Sequence, residues 1–535
     1  MSAPRCAFTV LLLCAAAMGQ QAPWSGSRAC AACHAEIYQR YTQTAMANSG
    51  GLAGSSGSPE RFDHAAFKDA AGTHRYSISS GGGNYTLEMR GPGGSSSVAV
   101  QKLKYFIGSG TAARSYLLDF EGFLYEAPVT YYSRTGKWSF SPGYEKYSYP
   151  FLARAITPPC LQCHVSGIQA IPDTQNGYQS RPFLEGGVSC ERCHGPGAAH
   201  VRSGAARDIV NPASLAPEER ESVCAQCHLG GEIRIDRTEA GFIAGKRLSD
   251  YTVAFVRQTS SPNIKVTSHV ENLAQSTCSR MSGERLWCGS CHDPHGPPAP
   301  AARVEWFRSK CLACHAASAC KGEAASRAAT GNDCTACHMP RQPATDAAHV
   351  VATDHSIPRR PNQRRSAAVS PDAPLIPFGQ TTASARELGL AYAIVALREQ
   401  NAIYRERAFE LLKEAQRVHP SDPQTLSYLA DLYKTRGNDK DGESLYRILL
   451  PLHPAQASAP ASLGAYAMER GRVEEAIRLW HQALQISPSL PLVRVNLAAA
   501  LLRTGRPDEA RAVLKKALEF NPEFPAALKL LEQIH

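Results

Sequence analysis

The sequence predicts a multidomain protein: a cysteine-rich, mostly α-helical and irregular domain carrying an antiparallel β insertion, followed by an all-α solenoid. Three observations predict it. The chain has 535 residues and 18 cysteines, and the last cysteine is Cys337. Residues 50–150 alternate apolar and polar positions between glycine-rich breaks, whereas residues 385–535 repeat at a helical period. A chain of this length exceeds what one hydrophobic core organises, so separate domains are expected.

The N-terminus, MSAPRCAFTVLLLCAAAMGQ, has one arginine, an apolar run and the small-x-small ending Ala17-Met18-Gly19. Residues 1–19 therefore read as a secretory signal cleaved near Gly19–Gln20. A lipid anchor on Cys14 is the rival, but Leu13 stands where a small residue is expected. The apolar run is too short to span a bilayer. Export, to a periplasm or beyond, places the remaining cysteines in an oxidising compartment.

Seven copies of C-x-x-C-H follow: Cys30/Cys33/His34, Cys160/Cys163/His164, Cys190/Cys193/His194, Cys224/Cys227/His228, Cys288/Cys291/His292, Cys311/Cys314/His315 and Cys334/Cys337/His338. Two thiols at this spacing match the two vinyl groups of a c-type haem, and the adjacent histidine reaches the iron as proximal ligand. Zinc fits badly, because adjacent Cys-His geometry does not suit one tetrahedral ion. A C-x-x-C disulfide would constrain almost nothing and would not require the histidine. The expectation is seven c-type haems, six of them within residues 160–340. So little polypeptide per porphyrin implies a haem-packed domain over 20–355.

Each such iron has a second axial position. Filled by protein it makes an electron carrier, and left open it can bind a small molecule. The spare histidines before Pro358 are His64, His74, His200, His269, His295, His349 and His355. Each is either a distal ligand or an ordinary solvated or propionate-binding histidine. His200 and His295 lie too near their own motifs to cap the same ring and suit a neighbouring one. Met46 is a further distal candidate, with core packing as its alternative. Cys278 and Cys320 are the thiols left over after the signal peptide and the motifs, and a disulfide between them is the economical expectation.

The stretches HRYSIS, NYTLEMR and GFLYEAPVTYY read as strands of the β insertion. Residues 356–384 are rich in proline and arginine without periodicity, and read as a linker. Beyond it Pro420, Pro454, Pro488 and Pro522 recur at one interval, as do Gly437, Gly471 and Gly505. That interval is the tetratricopeptide signature, a helix-turn-helix unit that buries a core only by stacking and offers a groove to partner proteins. Three clear repeats, a degenerate one from about Glu387 and a capping helix from Glu523 to His535 are expected.

The formal charge of +10 would ordinarily suggest nucleic acid. Seven haems bring roughly 14 propionate carboxylates, however, which offset it, so no nucleic-acid partner is expected.

The segments SHVENLAQSTC, CGSCHDPH, DCTACHMP and DAAHVVATDHSIPRR, with VSCERCHGPGAAH upstream, resemble the periplasmic multihaem c-type cytochromes. That superfamily includes pentahaem nitrite reductase and octahaem hydroxylamine oxidoreductase. The resemblance implies distal ligation by His200, His269, His295, His349 and His355, and a ligand position at Met46. The chain departs from it in having no C-x-x-C-K motif, the lysine variant of the nitrite reductases. Electron transfer with a docking arm for redox partner proteins is therefore the expected role. A multihaem oxidoreductase acting on a small nitrogen or sulfur compound at a five-coordinate haem, and a haem-bearing assembly scaffold, are the alternatives.

Overall fold

The structure is a computed structural model and describes residues 24–534, apart from 56–57, 92–96, 148–151, 259–263, 360–369 and 381. The signal peptide expected over 1–19 lies outside the described residues.

The β insertion is two antiparallel sheets. The first orders β1 (Gly50–Leu52), β6 (Tyr105–Ile107), β7 (Ala113–Phe120), β8 (Phe123–Tyr132) and β9 (Lys137–Phe140). The second orders β2 (Ala66–Lys68), β3 (Arg75–Gly81), β4 (Asn84–Arg90) and β5 (Ser97–Leu103). Alternation along the strands decides the faces. Leu87, Met89, Tyr116 and Tyr125 share one core between the sheets, while β7 and β8 turn Leu117 and Leu124 the other way, onto Ile156, Leu161 and Val165. Pairing of Leu117 with Glu126 and of Ser115 with Thr130 carries that second face across the two strands.

The C-terminal helices stack in antiparallel pairs: Ala385–Glu399 with Ala402–Val418, Pro423–Thr435 with Asp439–Leu452, Ser458–Glu469 with Val473–Ile486, and Pro491–Arg503 with Pro507–Phe520. Pro525–Glu532 closes the array. Gly437, Gly471 and Gly505 have φ of 74°, 72° and 74°. Only glycine adopts that left-handed turn without strain, which explains its periodic return. Small residues at the crossing points, Ala476 and Ala510 among them, are fully buried, letting paired helices approach.

The solenoid is strapped to the rest of the chain at both ends. Its first helix packs on a sheet of β12 (Ile233–Asp236), β13 (Thr252–Arg257) and β16 (Leu375–Pro377), where Arg237 meets Glu387 at 2.5 Å and Arg398 meets Glu232 at 3.1 Å. The strand β16 falls inside the stretch expected to be a linker. Leu375 is buried and its N–H donates to the Tyr392 hydroxyl, and Pro377 is tolerated because β16 is an edge strand. At the far end Phe520 enters the core of the β insertion, 4.7 Å from Phe120 between ring centres. Lys516 pairs with Glu121 at 2.5 Å, and the Gln175 N–H donates to the Ile486 carbonyl.

His74 sits in this second strap. Its Nδ1 faces Asp69 at 3.2 Å and its Nε2 faces Glu523 at 2.9 Å. Burial opposes its charge, but the Glu523 and Asp69 carboxylates outweigh burial and hold its pKa above the ordinary value. A raised folded pKa gives stability that is complete below the unfolded value of about 6.5 and is lost as pH climbs through the folded one. The melting-temperature gap between the wild type and His74→Gln should therefore shrink from about pH 6 to about pH 9. An unchanged gap would show the pair to be uncharged.

Candidate haem-binding site

Most motifs fold as a single helical turn or as the end of a longer helix, such as Cys190–His194, Cys334–His338 and Pro217–His228. Residues three and four apart share a helix face, so both thiols and the imidazole of a motif project the same way. They project into one cavity of about 3780 Å³, lined by all seven motif histidines and every motif cysteine except Cys160. A pocket for an ordinary small molecule holds about 300–1,000 Å³, so this space would hold several large groups.

Thiols of different motifs meet inside it. Cys30 lies within hydrogen-bonding reach of Cys190, Cys163 of Cys227, Cys224 of Cys288, and Cys311 of Cys334. Sharing a proton with Cys227 brings Cys163 down to about 7, while burial drives Cys193 up to about 12.

The histidines pair across gaps. His34 faces His200 with ring centres 6.2 Å apart and planes 17° from parallel. His194 faces His295 at 5.9 Å and 17°, and His292 faces His355 at 6.3 Å. An iron with two axial imidazoles would separate their centres by about 6 Å, two metal–nitrogen bonds of about 2 Å plus half a ring on each side. His228 and His269 lie closer, at 5.0 Å, and would part by about 1 Å to admit the same group. His269 also touches His355 at 4.6 Å, so two of these pairs are in contact.

Ring orientation fits the same group. Nδ1 of His194, His200, His338 and His355 is bonded to the backbone carbonyl of Val210, Ala205, Pro358 and Thr353, at 2.8, 3.0, 2.9 and 3.0 Å. That bond fixes the tautomer and leaves Nε2 as the electron donor, the usual outer-shell arrangement of a ligating histidine. Burial, together with the neighbouring His355, His228 and His292, brings the pKa of His269 down to about 3. Burial also lowers those of His164, His228, His292 and His355, so these rings are neutral and able to ligate. Among the described residues no three His, Cys, Asp or Glu side chains cluster for a bare metal ion. Two facing imidazoles suit an iron whose remaining bonds come from a porphyrin.

Three other expected site residues, His64, His74 and His349, lie outside the cavity lining. His64 is exposed in a turn before β2, away from the cavity, and both ring nitrogens of His74 are engaged by carboxylates. His349 is exposed and set edge-on against Tyr132 at 5.0 Å. Met46 lines the cavity. The Cys278–Cys320 bridge is not formed: both are free thiols, and Cys278 neighbours Cys291 and Cys314 instead. Sequence spacing could not find these pairings, since the partner of each of the four paired motif histidines comes from another part of the chain.

The family model described as cytochrome c554 and c-prime matches residues 145–195, which span two motifs. The tetratricopeptide repeat model matches residues 467–534. The C-terminal region is a tetratricopeptide repeat region. Among solved structures, that of MamA is 18% identical with a TM-score of 0.24, covering 26% of this chain and 81% of that chain. PilF of Pseudomonas aeruginosa is 24% identical with a TM-score of 0.25, covering 28% and 67%. YrrB, described as a tetratricopeptide protein with an unusual peptide-binding site, is 16% identical with a TM-score of 0.24, covering 27% and 74%. No curated protein matches the chain.

Proposed function

We propose that the protein is an exported c-type cytochrome that carries electrons along seven covalently bound haems, with the tetratricopeptide region docking a redox partner. The observation that carries this reading is the set of facing imidazoles about 6 Å apart inside one cavity. Cys30, Cys33 and the corresponding cysteines of the other six motifs would hold the rings by thioethers. His34, His164, His194, His228, His292, His315 and His338 would be proximal ligands, and His200, His295, His269 and His355 the distal ones for four of them. Bound haem supplies a one-electron redox couple.

The chain's own residues set the order of the relay. Thiol contacts link motif 1 to 3, 2 to 4, 4 to 5, and 6 to 7. The neighbourhood of Cys193 and Cys224 joins motif 3 to 4, and that of Cys291 and Cys314 joins 5 to 6. The result is a line 1–3–4–5–6–7 with motif 2 branching from motif 4. Arg303, Arg327, Arg341, Arg359 and Lys310 on the cavity wall match the propionates that such rings would bring. Among the described residues no helix is long and apolar enough to cross a membrane.

Reductive titration of the purified holoprotein tests the reading. Uptake of one electron per motif, with mostly low-spin spectra, is expected. Uptake of one or two electrons per chain would contradict it.

A further inference from the structure

The residue after the first cysteine is uncharged in six of the seven motifs, and in the third it is Glu191. That side chain is buried, at 6% exposed, and its carboxylate accepts three backbone N–H groups. Oε1 takes those of Ser25 at 3.1 Å and Gly197 at 2.7 Å, and Oε2 takes that of Gly26 at 2.9 Å. Charge-assisted bonds of this kind are roughly twice as strong as neutral ones.

The three donors lie on the two segments that carry the facing imidazoles of the first motif. Ser25 and Gly26 lead into the helical turn Ser27–Cys30, which ends on the first cysteine of that motif, ahead of His34. Gly197 opens the helix Ala198–Ser203, which carries His200. A single oxygen, Oε1, therefore joins the two segments. Further bonds seat the first one: the Ser27 N–H donates to Glu185 at 2.7 Å, and the Ser27 hydroxyl accepts the Cys190 N–H at 3.2 Å. Beyond His34, the Tyr41 hydroxyl donates to the Val188 carbonyl at 2.6 Å. The first motif thus hangs from the segment that bears the third. Ser27–Cys30 buries none of its own residues and His34 is exposed, so packing alone does not locate that ring.

We propose that Glu191 is a positioning residue for the first haem: its carboxylate holds the segments bearing His34 and His200 in one register. It thereby fixes the 6.2 Å gap and the near-parallel ring planes between those imidazoles. The inference rests on the haem reading above. Its physical basis is the three donors, which lose their acceptor together when the carboxylate is removed. The two imidazoles are then free to shift relative to each other, and axial ligation is what sets a haem's spin state and potential.

Spectra and reductive titration of the holoprotein test it, with His200→Ala as the reference. Glu191→Ala should keep seven haems by mass but change the low-spin signature and midpoint potential of one of them, the same haem that His200→Ala turns high-spin. Glu191→Gln keeps one carbonyl acceptor and sets an NH2 group against the Gly26 N–H, so it should move that haem in the same direction by less. The double variant Glu191→Ala/His200→Ala should match His200→Ala alone. Unchanged spectra and potentials in Glu191→Ala, or changes spread alike over several haems, would overturn the proposal. If the alanine variant does not mature, the glutamine variant is judged by the same two results. A wild type without haem, or His200→Ala that stays fully low-spin, would instead remove the reading on which the inference rests.

Discussion

Holoprotein carrying His269→Ala should show about one more high-spin haem than the wild type and should pass electrons more slowly through the middle of the proposed relay. His269 is the ring where two pairs meet: it lies 5.0 Å from His228 and 4.6 Å from His355. Its removal would take the proposed distal ligand from the fourth motif and the contact with the fifth pair together. Stopped-flow reduction should resolve into a fast and a slow population, divided at motif 4. A single phase with unchanged spectra would show that His269 is merely packed. His64→Ala is the matched control, since His64 is exposed and outside the cavity, and it should change neither spectrum nor rate.

The second large effect is structural. Phe520 is 4% exposed and lies in the core of the β insertion, against Phe120 at 4.7 Å and Tyr125 at 6.4 Å, with the Arg494 guanidinium 5.0 Å from its ring centre. Phe520→Ala should cost about 3–5 kcal/mol, the range for emptying a buried aromatic site. It should also free the far end of the solenoid, read as faster amide exchange in Pro491–Arg503 and Pro507–Phe520. Removing Glu523 should cost much less, because partly exposed ion pairs contribute about 0–1 kcal/mol. Equal losses in the two variants would mean that charge, not the buried ring, holds the strap.

That strap was not legible in the sequence, and the reason is physical. Phe520 obeys the repeat's helical pattern, so nothing in its spacing says that its ring enters a sheet 400 residues upstream. The repeats themselves were legible because Gly437, Gly471 and Gly505 each meet a local demand, a left-handed turn. The strand β8 was legible from alternation, but the buried Glu126 was not, since alternation alone marks it as an ordinary solvent-side residue. C-x-x-C-H named seven thiol pairs and seven imidazoles, a local code. It could not say that His200 serves the space beside His34 or that His295 serves the space beside His194, because those pairings are tertiary. The linker expected over 356–384 misled for a related reason. Its prolines and arginines hide Leu375, whose burial makes β16 part of the solenoid's seat.

Intact mass of the denatured, desalted protein, purified after export, shows whether porphyrins are covalently attached to the seven motifs. The expected mass is that of the processed polypeptide plus seven porphyrins that survive denaturation, because thioethers are covalent. A mass equal to the bare polypeptide would contradict that attachment.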